Sequence, residues 1–208
     1  MSIHEPTTLL TDYLLAALAG WFAWRLHRRE NADSGAQQWW TRVLALTAAS
    51  AFIGGNYHGF APNFSTSLAA SWWVLTLWVI DLLSAAMALS LLHELVPVAR
   101  QQLWRVLIGV KFATFAGAAL IHREFVVVIL DYGLIMLAWA VAASMLRRPW
   151  SRWMLAGIAL SIVAALVQQM HWAPSEHFNH NDLYHVIQAL GLWGFYRAGL
   201  GLSGRTGS

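Results

Sequence analysis

Residues 71–95 read SWWVLTLWVIDLLSAAMALSLLHEL, and this stretch decides the fold class. It is apolar almost throughout, and Asp81 is its only acidic residue before Glu94. An α-helix rises about 1.5 Å per residue, so about 20 apolar residues cross the hydrocarbon core of a bilayer. The stretch therefore predicts a transmembrane helix.

Six more apolar segments of similar length flank this one. Together the sequence predicts seven transmembrane helices, at residues 9–26, 40–57, 71–95, 103–121, 125–146, 150–170 and 183–202. The connections are short, and we find no linker, low-complexity stretch or internal repeat between the segments. We expect an all-α polytopic membrane protein that forms one domain over residues 1–208.

The composition supports this class. Of the 208 residues, 58% are hydrophobic and 11% are charged, whereas a soluble domain carries roughly 25% charged residues. Cysteine is absent, which excludes disulfides, a thiolate nucleophile and cysteine metal ligands. Any metal must be held by nitrogen and oxygen. Nothing in the sequence indicates nucleic-acid binding.

The arginines indicate one orientation in the membrane. They flank the first, third and fifth connections or lie in the tail: Arg25, Arg28, Arg29, Arg42, Arg100, Arg105, Arg147, Arg148, Arg152 and Arg205. The opposite side has only Arg123. The positive-inside rule then predicts an external amino terminus and a cytoplasmic carboxyl terminus. Seven of the nine histidines fall on the outer side: His4, His58, His122, His171, His177, His180 and His185.

Four ionisable residues lie within or near the predicted spans: Asp12, Asp81, Lys111 and Asp131. Each costs about 2.5–3.5 kcal/mol at the bilayer centre, so we expect them to face the bundle interior and find partners. One interpretation pairs Lys111, the only lysine, with Asp131 or Asp81. In the other, Asp81 lies about 15 Å below the outer end of its helix, beneath the histidines, and orients an imidazole or a water molecule.

Residues 177–185 read HFNHNDLYH and open the last apolar segment. His177, Asn181 and His185 are four residues apart and share one face of a continuous helix. His180 lies about 140° off that face. Asn179 and Asn181 are both good amino-terminal caps, and if the helix starts at Asn181, His180 is free to fold back toward His185.

Histidines at the mouth of a membrane helix are costly unless they bind something. A catalytic zinc site uses three protein ligands and one open position for water. We therefore predict a Zn²⁺ site at His58, His180 and His185, with His177 or Asn181 as alternatives for the third ligand. The other interpretation is that these side chains are interfacial polar residues without a metal.

The span order, together with His58, Asp81 and the segment from His180 to His185, resembles the CREST superfamily. This group contains the alkaline ceramidases, the adiponectin and progestin receptors and the haemolysin-III-like proteins. The resemblance implies a zinc ion held by three histidines in a seven-helix bundle, and hydrolysis of a lipid amide. The Gly-Gly-x-x-His-Gly pattern at residues 54–59 and the Asn-His-Asn-x-x-Tyr-His pattern at residues 179–185 resemble an uncharacterised bacterial branch, which implies the bacterial inner (plasma) membrane.

Two positions depart from the family pattern. The family usually has a serine four residues before the second-helix histidine, where this chain has Gly54. It also has two histidines four apart in the seventh helix, where this chain pairs Asn181 with His185. With Gly54 in place of the serine, this chain lacks a hydroxyl that the resemblance would assign to positioning water or an oxyanion.

Three hypotheses about function follow. The first is a zinc-dependent membrane hydrolase acting on an amide or ester bond of a lipid-like substrate, with Asp81 as the catalytic carboxylate; a homo-oligomer is compatible with it. The second is a non-catalytic lipid-binding or receptor-like protein with a structural metal. The third is an ion or proton transporter using Asp81, Lys111 and Asp131, which the absence of inverted repeats disfavours.

Overall fold

The computed structural model describes residues 2–29, 34–175 and 178–202. This part of the chain contains seven α-helices: α1 Pro6–His27, α2 Gly35–Phe60, α3 Thr66–Leu95, α4 Gln101–His122, α5 Phe125–Leu146, α6 Ser151–Gln169 and α7 His180–Gly199. Two short 3-10 helices, Ala61–Asn63 and Val98–Arg100, lie in the connections. The described ranges contain no β-strand, so the all-α prediction is confirmed.

Within the described residues, four stretches are long and apolar enough to cross a membrane. They are Thr66–Leu95, Val98–His122, Phe125–Leu146 and Ser151–Gln169, which correspond to α3, α4 with the turn before it, α5 and α6. Each coincides with a predicted span.

Side-chain caps set helix starts that lie outside the apolar segments. Ser34 accepts a hydrogen bond from the backbone N–H of Gln37, and Ser65 accepts one from Leu68. A serine oxygen in this position satisfies one of the free N–H groups of the first helical turn. As a result α2 and α3 each begin several residues before the apolar stretch that predicted them.

Six helices form a ring. In order of contact they are α1, α2, α3, α5, α6 and α7, with α7 packed back against α1. The remaining helix, α4, packs outside this ring against α3 and α5. Its only buried residues are Gln101 and Ala119, so α4 lies at the periphery while the other six enclose the interior.

Three tryptophans close the interior at one end. The rings of Trp40 and Trp139 lie 5.1 Å apart, and those of Trp139 and Trp150 lie 5.5 Å apart, both in edge-to-face geometry. Each indole N–H donates a hydrogen bond, to the Phe195 carbonyl, the Met87 carbonyl and the Glu94 carboxylate respectively. The three indoles are fully buried and each donates its hydrogen bond. We call this packed layer of Trp40, Trp139 and Trp150 the tryptophan floor.

Glycines bring α6 and α7 together. A Cβ atom at Gly194 would lie 2.9 Å from the backbone nitrogen of Gly157, and one at Gly191 would lie 3.4 Å from the Gly157 carbonyl oxygen. Small residues that permit direct backbone contact are typical of helix pairs in membranes. The α6–α7 seam therefore depends on the absence of side chains at these positions.

Candidate functional site

The ring of six helices encloses a cavity of about 330 Å³. Within the described residues, α4 contributes nothing to its lining. The lining face of α2 runs from Trp40 to His58, which is about 27 Å along the helix at 1.5 Å per residue. The cavity is thus elongated along the helix axes, with Trp40 of the tryptophan floor at one end.

The acidic and basic side chains that line the cavity lie at its other end. They are Asp12 of α1, His58 of α2 and His185 of α7, and Asn181 and Tyr184 lie beside them. Asp12 is at the level of Gly55, where an added Cβ would come within 2.8 Å of the Asp12 Cβ. Below this polar end the lining is mostly apolar. The cavity therefore has a polar end and a long apolar part, as an amphiphilic molecule does.

Asp12 and His185 form a buried pair at this polar end. Asp12 Oδ1 lies 3.1 Å from His185 Nε2, and the two side chains are 6% and 8% exposed. On the other side of the imidazole, Thr11 Oγ1 lies 2.9 Å from His185 Nδ1. Both ring nitrogens are thus held by consecutive residues of α1.

The Thr11 hydroxyl has more than one acceptor within reach. Besides His185 Nδ1, it lies 3.0 Å from the Thr8 carbonyl and 3.5 Å from Asp182 Oδ1, and it has only one hydrogen to give. In either tautomer, the His185 ring is held between this hydroxyl and the Asp12 carboxyl. Asp12 and His185 thus form an acid–base dyad.

The second oxygen of the Asp12 carboxyl, Oδ2, is buried and receives no hydrogen bond from any described residue. A buried carboxylate oxygen without a donor is costly, and Asp12 lines the cavity. This oxygen is available to a donor group on a bound molecule.

His58 is tied to the segment before α1. His58 Nδ1 lies 3.2 Å from Glu5 Oε2, with the side chains 24% and 46% exposed. The hydrogen bond from His58 lowers the pKa of the Glu5 carboxyl. The His4 N–H also donates to the Gly59 carbonyl at 2.9 Å. The amino-terminal segment is therefore bound to the end of α2 that carries His58.

The start of α7 differs from the expectation that places His180 beside His185. Asn179 is the cap: its side chain accepts from the N–H groups of Asn181 and Asp182, while the Asp182 carboxylate accepts from Asn179 N–H at 2.7 Å. This reciprocal capping box makes His180 the first helical residue, and it cannot fold back. The His180 ring instead lies 4.7 Å from that of His171.

Asp81 also lies elsewhere than expected. It does not line the cavity, although Ile80 beside it does, because successive helical residues point about 100° apart. Its carboxyl faces Asp131 and Lys111, and Lys111 donates to Asp131. The interpretation that pairs Lys111 with Asp131 is confirmed. The role of Asp81 as an orienter of the histidines has no support in this geometry.

Two of the three predicted zinc ligands line the cavity. His58 and His185 line one cavity, whereas His180 does not. Within residues 2–29, 34–175 and 178–202, no group of three or more His, Asp or Glu side chains is arranged to hold a metal ion. The alternative ligand Asn181 lines the cavity, and His177 lies outside the described residues. Zinc binding by His58, His180 and His185 therefore stays a prediction.

The sequence pattern identifies His58 and His185 but not Glu5 or Thr11, and it predicts only that Asp12 needs a partner. One signal for that partner is in the sequence. Asp12 lies about one turn into the first predicted span, on the same predicted side as His185, so the predicted topology gives both residues the same depth. Equal predicted depth and complementary acid–base character together indicate the Asp12–His185 pair.

Comparison with known proteins adds a family. Residues 7–203 match the model of DUF6962, a family of unknown function. The match covers nearly the whole chain, so the protein belongs to this family. No curated protein and no solved structure matches the chain.

Proposed function

We propose that this member of the DUF6962 family is an integral membrane protein that binds a lipid-like molecule between its helices. The observation that carries the proposal is the cavity of about 330 Å³ with its apolar length and its single ionisable end. Small-molecule pockets fall in the range of about 300–1,000 Å³, are mostly apolar and use few polar groups to fix orientation.

An acyl chain suits the long part of the cavity. The lining face of α2 extends from His58 down to Trp40, and a chain lying along it meets mainly aliphatic and aromatic side chains. The polar group of the same molecule then lies beside Asp12 and His185. The free Asp12 Oδ2 favours a molecule with an N–H or O–H group near its acyl chain, as in a fatty-acid amide or an ester whose alcohol part keeps a free hydroxyl.

The proposal includes seven spans. The helices α3, α4, α5 and α6 meet the length and hydropathy of a membrane span, and α1, α2 and α7 complete the same ring. The arginine distribution supports an external amino terminus, and a multi-pass location in a bacterial inner membrane follows from the proposed resemblance.

The orientation can be tested by cysteine labelling, because the chain has no cysteine. Ala173 and Ala99 are both exposed in connections, on opposite predicted sides. Ala173→Cys should react with a membrane-impermeant maleimide from outside the cell, whereas Ala99→Cys should react only after the membrane is opened. The reverse pattern would invert the orientation.

Hydrolysis of the bound lipid is a second candidate, favoured by the Asp12–His185 dyad. Asp12 can take a proton from a water molecule whose oxygen then bonds to the acyl carbon. The C–N or C–O bond breaks, and the proton passes from the dyad to the leaving nitrogen or oxygen. The products are a carboxylic acid and an amine or alcohol. General acid–base groups of this kind contribute about 10²–10⁴-fold in rate.

Membership of the CREST superfamily stays a proposal. The shared cavity of His58 and His185 supports it, whereas the positions of Asp81 and His180 do not. A zinc requirement is likewise a prediction from the resemblance. Metal analysis of the purified protein tests this prediction, and about one zinc per chain, lost or greatly weakened in both His58→Ala and His185→Ala, would support the site. Unchanged metal content in both variants would remove it.

Binding and hydrolysis are separated by one pair of experiments. The detergent-purified protein should bind a fluorescent fatty-acid amide, and Asp12→Asn, which keeps the size of the side chain, should still bind it. Release of free fatty acid from palmitoyl amides and esters should fall about 10²–10⁴-fold in this variant if the dyad is catalytic. Absence of binding to acyl probes of every length would overturn the main proposal.

A further inference from the structure

A second cluster of ionisable groups lies outside the cavity, where α3, α4 and α5 meet. Lys111 of α4 donates hydrogen bonds to Asp131 of α5 and, at 3.0 Å, to Ser84 of α3. Asp81, almost one turn before Ser84, lies within hydrogen-bonding reach of Asp131. The functional proposal above uses none of these groups.

Both carboxyl groups are fully buried. Asp81 and Asp131 are 0% exposed, and the neighbouring part of this interface is an apolar cluster that includes Leu77 and Val128. Asp81 Oδ1, Asp81 Oδ2 and Asp131 Oδ2 receive no hydrogen bond from the part of the chain that the structure describes. Three buried carboxyl oxygens therefore lack a donor, although two carboxyl groups face each other.

The charges of the cluster do not balance. Two ionised carboxylates and one ammonium carry a net charge of −1, held away from water. Two carboxylates in contact do not both ionise, because the repulsion between like charges is large at this separation. One additional unit of positive charge makes the cluster neutral. A proton between the two carboxyl groups also supplies a missing donor.

The surrounding helices offer no other charge to balance the pair. The register of α2 against α3 is set by Gly54 beside Thr76 and by the hydrogen bond from Ser90 to the Ala36 carbonyl. Between these two levels the only ionisable residue of α2 is Arg42, whose guanidinium lies over the Trp39 ring. On α5 the neighbouring ionisable group, Tyr132, faces the cavity. On α4, Arg105 hydrogen-bonds to Gln101.

We propose that Asp81 and Asp131 form a proton-binding site that holds one proton per chain at neutral pH, beside the Lys111 ammonium. The site is independent of the lipid cavity, since Ile80 and Leu83 line the cavity while Asp81 lies on the other face of α3. Its ligand is a proton rather than a divalent cation, because a divalent ion would leave the buried cluster with a net charge of +1.

Infrared spectroscopy of the purified full-length protein tests the site. A protonated carboxyl gives a C=O band that ionised carboxylates lack, and labelling with ¹³C-aspartate assigns that band to aspartate. We expect a labelled band at neutral pH that is lost in Asp81→Asn. It should persist in Glu124→Gln, which removes an exposed carboxylate, and in Asp12→Asn, which removes the cavity carboxyl.

Thermal unfolding supplies a second readout that uses the wild-type protein. Aspartates of the unfolded chain lose their protons above about pH 4, whereas the folded site keeps one. The thermal midpoint should therefore fall as the pH rises from about 5 until the site loses its proton, and then level off. It should not depend on sodium at constant ionic strength, and Asp81→Asn should remove this part of the pH dependence. A thermal midpoint that rises with sodium would assign a metal cation to the site instead of a proton. An infrared spectrum of the wild-type protein without a labelled C=O band would also overturn the proton site.

Discussion

Asp12 Oδ1 lies 3.1 Å from His185 Nε2, and this contact joins the first helix of the chain to the last. The ring of six helices is closed by α1 against α7, so the pair lies where the first and seventh helices meet. The same contact forms the polar end of the cavity. Closure of the ring and formation of the binding site therefore depend on one another.

Replacement of His185 should weaken lipid binding. His185→Ala removes the partner of Asp12 at the polar end of the cavity, so we expect the affinity to fall about tenfold or more. His180→Ala is the matched control, because its ring contacts His171 and not the cavity. Titration with a fluorescent fatty-acid amide measures both variants. Equal losses in the two would contradict the placement of His180.

The width of the cavity at Gly54 should control which chains fit. A Cβ at this position meets only Thr76 Cγ2, at 3.8 Å, so Gly54→Ala should bind like the wild type. Gly54→Phe should fill the lumen and lower the affinity by about tenfold or more, since overpacking costs about 1–3 kcal/mol. Competition with acyl probes of increasing length checks this, and unchanged binding by Gly54→Phe would show that the chain lies elsewhere.

The Glu5–His58 contact should make stability depend on acid pH. The hydrogen bond from His58 lowers the pKa of Glu5 from its ordinary value of 4.5, so the folded state prefers the carboxylate. This contribution is fully present above pH 4.5 and is lost as the pH falls through the lower folded-state value. Thermal midpoints measured from about pH 6 to pH 3 should fall less in Glu5→Gln than in the wild type. Glu124→Gln is the control, and it should follow the wild type.

Removal of the only lysine should destabilise the bundle. Lys111→Met leaves Asp131 buried without its cation, and breaking a buried pair in this way costs about 3–5 kcal/mol. The double variant Lys111→Met with Asp131→Asn should recover most of the loss. Arg105→Met removes a cation from the same helix and should have a small effect. A thermal midpoint that is the same in Lys111→Met and Arg105→Met would contradict the pairing.

Hydropathy predicted the helices but not where they begin. All seven predicted spans coincide with α-helices, because helix formation in a long apolar segment follows from its length and composition alone. The start of α2 at Gly35 depends on Ser34, and the start of α7 depends on Asn179 and Asp182. Short polar residues form several competing caps, and tertiary contacts select among them. The sequence alone therefore left two starts open for α7.

The site was partly predictable for a related reason. Position along a span gives the depth of a residue, and depth correctly placed His58 and His185 at one end of the bundle. The direction in which a side chain points depends on which neighbouring helix is present at that depth. Asp81 has a suitable depth but points toward α4 and α5, where Lys111 and Asp131 lie. The order of the helices around the ring determines the direction in which the Asp81 side chain points. The residue spacing within one helix does not reveal that order.

The backbone contact between Gly157 and Gly194 restricts how a lipid can reach the interior from the bilayer. Lateral access between two helices requires side chains that can change rotamer or a gap that thermal motion can widen. At the α6–α7 seam Gly157, Gly191 and Gly194 have no side chains to move, and separating the helices would lose the close backbone packing that these glycines permit. For the proposed lipid binding, we therefore expect entry from the bilayer between another pair of helices.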